Sequence, residues 1–101
     1  MSERIIEEVS IGLEPLITKF MEHTANEVAA LEKMVVSGNM AEALRMGHNI
    51  KGSALNYGFS LLAEIGRNIE ISAGNEDMAQ LELLLVDLKK YLKNVEIVFG
   101  A

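Results

Sequence analysis

The chain has no cysteine. Disulfide stapling and thiolate zinc sites are therefore excluded, and a reducing cytoplasm is compatible. Proline occurs once, and three phenylalanines and two tyrosines are the only aromatic residues. Positive charge is scarce: the net charge is −6 and the pI about 4.8. That argues against a nucleic-acid binder, which usually carries a basic face. No apolar run is long enough to span a membrane. Met1-Ser2-Glu3-Arg4 leads into an acidic amphipathic stretch, without the basic start and continuous apolar run of a signal peptide. What is plentiful is hydrophobic residues, at 50% of the 101, enough for a core and against disorder. The expectation is one soluble, cytoplasmic domain over residues 1–101, with no membrane and no nucleic acid among its partners.

Leu, Ile, Val, Ala, Met, Glu and Lys dominate, which is helix-former chemistry, and no segment alternates cleanly as a half-buried strand would. Punctuation divides the chain into five helical pieces. Ser2 is expected to cap a short helix to about Val9, with Ile5, Ile6 and Val9 as its stripe. Pro15 suits the first turn of a long helix to about Ser37, with Leu16, Phe20, Val28, Leu31 and Val35 near one face. Gly38-Asn39 reads as a stop and restart, Asn39 and Glu42 resembling a capping box. The third piece runs to about Tyr57, where Gly58 can end it. Ser60 is expected to cap the fourth, whose stripe is Leu62, Ile65 and Ile69. Gly74-Asn75 is a further stop-and-cap pair, with Glu76 and Asp77 in the first turn of the fifth. There Leu81, Leu84, Leu85, Leu88, Leu92 and Val95 recur at helical spacing. Short connections make consecutive helices antiparallel neighbours. The fold class expected is all-α, an antiparallel up-down-up-down four-helix bundle with a short additional N-terminal helix.

Two histidines are present, and His48 is the informative one. At about 100° per residue, Ala43, Met46, Ile50, Ser53, Ala54 and Tyr57 share the core side of the third helix. His48 points the other way, with Leu44, Arg45, Lys51 and Gly52 at its helical neighbours' positions. None is a carboxylate or a second histidine, so a metal site, which needs several donors, is disfavoured. No serine or cysteine partner suggests a hydrolytic triad. Lys51, three residues on, can reach an anion attached to the imidazole; the plain alternative is a surface lysine. Gly52 costs a helix interior about 1 kcal/mol relative to alanine. It faces away from the expected core, so room for an incoming partner is the better reading. Gly47 lies near the core boundary, where packing explains it. Leu44 and Leu55, extended by Ala41, make an outward apolar strip suited to docking, unless a terminal piece covers it. His23 and Glu27, at i, i+4, offer two metal donors, which is too few.

The run His48-Asn49-Ile50-Lys51-Gly52-Ser53-Ala54 resembles the signature of histidine-containing phosphotransfer (HPt) domains, H-x-[IL]-K-G-[SA]-[SA]. Gly58 falls where that family ends its active-site helix, and Leu62, Ile65 and Arg67-Asn68-Ile69-Glu70 match the following helix. With the expected bundle, the resemblance covers essentially the whole chain. Gly47 stands where alanine is common and Asn49 where a small or hydroxyl residue is common. The resemblance implies a phosphorelay intermediate without an ATP site of its own. His48 would accept a phosphoryl group from an aspartyl phosphate of a response-regulator receiver domain, including one in a hybrid sensor kinase, and pass it to another receiver aspartate. Lys51 would stabilise the phosphoryl charge and Gly52 give steric access. Ala41, Leu44, Arg45 and Leu55 would dock the partner. No cofactor would be needed in this chain; the divalent metal would be the receiver's.

Two other classes compete. A non-catalytic HPt-like module would dock a receiver or a helical partner without accepting phosphate, and retention of both His48 and Lys51 argues against it. The phosphoacceptor region of a sensor kinase normally has an acid directly after its histidine, where this chain has Asn49. It also sits beside an ATP-binding domain, for which there is no room here.

Overall fold

A computed structural model describes residues 4–100. Its order is strand β1 (Ile5–Ser10), a 3-10 turn (Ile11–Leu16), helices α1 (Ile17–Val36), α2 (Met40–Tyr57), α3 (Ser60–Gly74) and α4 (Met78–Asn94), and strand β2 (Val95–Gly100). The fold is mostly helical. α1 packs on α2 and α4, and α3 packs on the same two. The core is a continuous aliphatic cluster from all four helices, with Phe20 lying against Tyr57 and Phe59 at ring-centroid distances of 4.5 and 4.6 Å.

The boundaries α1/α2 and α2/α3 follow the local chemistry. Gly38 and Gly58 take φ of 72° and 80°, a region that costs glycine nothing. The Asn39 side chain accepts a hydrogen bond from the Glu42 N–H at 3.1 Å, capping α2. After α3 the chain departs from expectation. Asn75 ends α3, and Asp77 is the cap of α4, accepting from the Gln80 N–H at 3.1 Å. Leu16 is 45% exposed and Ile17 buried instead. The 3-10 turn, with three residues per turn, shifts the phase of the stripe before the α-helix begins.

The all-α expectation needs correction at both ends. Residues 5–10 are not a helix but a strand paired in parallel with β2, Ile5 opposite Val95 through Ser10 opposite Gly100; Ser2, the expected cap, lies outside the described residues. Val95 likewise opens β2 rather than closing the α4 stripe. The run Val95-Glu96-Ile97-Val98-Phe99 favours an extended chain, with Val95, Ile97 and Phe99 turned toward the core and Glu96 and Val98 exposed. A parallel pair needs a long crossover, and here the four helices supply it.

Glu7 explains why β1 seats where it does. It is 2% exposed, in the inward register of the strand with Ile5 and Val9. Its carboxylate accepts from the N–H groups of Leu61 and Leu62 at 3.1 and 3.0 Å and from the Tyr91 hydroxyl at 2.8 Å. The first turn of an α-helix leaves its N–H groups without partners and carries partial positive charge. Glu7 therefore caps α3 from a distant strand, in place of Ser60, which is the first helical residue and makes no side-chain cap. Burial, and after it the hydrogen bond to Glu7, pushes the Tyr91 hydroxyl far above its ordinary pKa, so it remains a donor.

Candidate functional site

α2 and α3 cross at two glycines. A Cβ on Gly47 would lie 2.7 Å from the Glu70 backbone nitrogen and 2.9 Å from the Gly66 carbonyl oxygen. A Cβ on Gly66 would lie 2.7 Å from the Lys51 nitrogen and 3.0 Å from the Gly47 carbonyl oxygen. Gly47 meets Glu70 and Lys51 meets Gly66, so the helices run in opposite directions with their backbones in near contact. This confirms packing as the reason for Gly47, and it sets Glu70 of α3 beside the outward face of α2.

The result is a three-residue cluster. The Glu70 carboxylate reaches His48 Nδ1 with Oε2 at 2.8 Å and the Lys51 ammonium with Oε1 at 2.7 Å. A carboxylate only accepts, so Nδ1 carries the proton, and in the neutral ring Nε2 keeps its lone pair. The His48 side chain is 61% exposed, and no partner for Nε2 is found among the described residues. Lys51, and after it His48, holds the Glu70 carboxyl below the usual carboxylate range. Glu70 thus remains an anion at neutral pH, and its hold on both partners weakens only as pH falls through that lowered value.

The absence of a carboxylate partner within α2 is therefore made good from another helix, 22 residues away in sequence. Glu70 belongs to the stretch Arg67-Asn68-Ile69-Glu70 that resembles the family, but nothing local marks it as the one to meet His48. The other expected residues are all on the surface. Ala41, Leu44, Arg45, Gly52 and Leu55 are exposed, Leu44 at 37% and Leu55 at 62%, and among the described residues no terminal piece covers the strip. Beyond the backbone of its own helix, nothing among the described residues lies within 4 Å of the Cβ position on Gly52. Arg45 lies 3.5 Å from Glu42. His23 and Glu27 form a pair at 3.6 Å, and burial raises the Glu27 pKa. Among the described residues, no group of three or more possible donors is placed to hold a metal.

The two kinds of glycine make opposite predictions for stability. Gly66→Ala forces a methyl group into backbone, and overpacking of this kind costs about 1–3 kcal/mol. Gly52→Ala meets open space and should gain up to about 1 kcal/mol from helix propensity. Urea denaturation of both variants checks this. A Gly66→Ala variant as stable as the wild type would show that the α2/α3 crossing is not held by the glycine contact.

These elements define a helical module built to present one uncapped imidazole nitrogen. A family model for the Hpt domain matches residues 15–96, and the chain belongs to that family. Hpt domains are phosphotransfer modules of two-component phosphorelays; they carry phosphoryl groups without an ATP site of their own and interact with receiver domains. Comparisons with curated proteins and with solved structures found no match. β1 and all but the first two residues of β2 lie outside the matched segment. No helix among the described residues is long and apolar enough to cross a membrane.

Proposed function

We propose that His48 is the phosphoacceptor of a phosphorelay carrier. Nε2 attacks the phosphorus of an aspartyl phosphate on a receiver domain; the N–P bond forms as the P–O bond to the aspartate breaks, and the carboxylate leaves. The reverse attack, by an aspartate of another receiver, discharges the carrier. The observation that carries this reading is the exposed His48 with Nδ1 tied to Glu70 and Nε2 left open.

That arrangement suits the chemistry. Phosphoryl transfer depends on in-line placement and charge stabilisation more than on proton removal. Attack by Nε2 makes the ring cationic, since Nδ1 keeps its proton, and the Glu70 carboxylate stabilises that cation where it forms. Lys51 offsets phosphoryl charge, and the open space over Gly52 admits the receiver. Ala41, Leu44, Arg45 and Leu55 form the docking rim. The chain works without a cofactor, the receiver bringing its own acidic pocket and divalent metal. We take the four helices to stand in up-down-up-down order and the carrier to act in the cytoplasm.

The test is incubation with a phosphorylated receiver, followed by a search for acid-labile, base-stable label on the carrier. Label on the wild type is expected. An unlabelled wild type would leave only the reading of a module that docks receivers without accepting phosphate. Lys51→Ala should slow transfer severalfold with helicity unchanged by circular dichroism, because the lysine is only partly buried and lies outside the apolar core. Marked unfolding would show instead that its pair with Glu70 is structural.

A further inference from the structure

The charges around His48 balance before phosphorylation and not after it. Lys51 contributes one positive charge and Glu70 one negative charge, and the two are already in contact at 2.7 Å. A phosphoryl group adds a charge of about −1.5 to −2. The ring gains one positive charge, but that charge lies against Glu70. Lys51 is therefore asked to serve two anions. In water such crowding is mild; with a receiver docked over the site and water excluded, it is not.

An uncommitted cation lies next to this cluster. Arg67 is on α3 one turn before Glu70, so both project from the same side of the helix. It is exposed and lines the groove between α2 and α3 together with Lys51, Leu55 and Ser60. No carboxylate lies within 4.0 Å of it among the described residues, although Glu64 shares the groove one turn further from His48. Arg45, the other arginine near His48, is drawn to Glu42.

Resting on the function proposed above, we infer that Arg67 is a second phosphoryl-binding residue: its guanidinium turns from solvent onto the phosphoryl oxygens once His48 is charged, and so supplements Lys51, whose ammonium is shared with Glu70. A planar fork with several donors fits two phosphoryl oxygens at once, which an ammonium does not. The role is specific to the phosphorylated state, which is why no carboxylate among the described residues pairs with Arg67 in the unmodified protein.

The experiment first labels the wild type from a phosphorylated receiver, and failure there removes the carrier function rather than the role of Arg67. Arg67→Ala, Arg67→Lys and, as a charge control outside the groove, Lys93→Ala are then compared. Two readouts are taken: the transfer rate, and the pH titration of the phosphohistidine phosphorus signal by NMR. Arg67→Ala should transfer about tenfold more slowly and raise the pH at which the phosphoryl group takes up its proton. Arg67→Lys should recover part of both changes, and Lys93→Ala should change neither. A wild-type titration in Arg67→Ala overturns the assignment even if transfer slows, because the arginine would then be touching the receiver and not the phosphoryl group. An equal effect of Lys93→Ala overturns it too, by reducing it to net charge.

Discussion

His48→Gln is expected to reduce phosphoryl labelling to background while leaving the fold intact. A glutamine amide nitrogen has its lone pair delocalised into the carbonyl and cannot attack phosphorus, yet the side chain can still donate a hydrogen bond to Glu70. The position is exposed, so the change in stability should stay within about 0.5 kcal/mol. Labelling and thermal unfolding measured on the same preparations separate chemistry from folding. Label at wild-type level on His48→Gln would move the phosphoacceptor elsewhere, and His23 would be the residue to examine, since it is the other histidine of the chain.

Glu7→Ala should produce the largest loss of stability. It removes one buried carboxylate and leaves two N–H groups of α3 and the Tyr91 hydroxyl without their acceptor. Each stranded donor costs about 1–3 kcal/mol. Partial relaxation and the entry of water bring the expected total to about 3–5 kcal/mol, against a typical domain stability of about 5–15 kcal/mol. The midpoint of urea unfolding should fall accordingly. Tyr91→Phe alone removes a single donor and should cost less. In the double variant the tyrosine hydroxyl is no longer stranded, so the combined loss should be smaller than the sum. Strict additivity would mean that Glu7 and Tyr91 do not act through their shared hydrogen bond.

These two residues differ in how far they can be read from the sequence. His48 is legible because everything that marks it lies within one helix: an outward position, Lys51 three residues on, an unexplained glycine at the fourth. The Asn39 cap and the left-handed Gly38 and Gly58 are legible for the same reason, being short-range backbone chemistry. Glu7 is not. In β1 one of the two buried positions, Glu7, is a carboxylate, the other being Val9, and a solvent-facing one is Ile6, 47% exposed. This breaks the alternation by which a strand is recognised. The strand's partner is at the other end of the chain, and so is Tyr91. Asn75 and Asp77 show a smaller failure of the same kind: both are good caps, and local chemistry does not say which of two candidates two residues apart starts the helix.

The sequence by itself determined an acidic, helix-rich chain with one exposed histidine beside a lysine and an uncrowded glycine, since turns, caps and helical faces depend on near neighbours. The tertiary structure alone decided that Glu70 meets His48 and Lys51, because that contact depends on how closely α2 and α3 approach. Gly47 and Gly66 set that distance, and neither declares its counterpart in the sequence. It also decided that the two ends of the chain pair as strands and that Glu7 caps α3. The β-propensity of Val95-Glu96-Ile97-Val98-Phe99 favours an extended chain there, but the pairing and the cap are fixed by hydrogen-bond satisfaction across the whole fold.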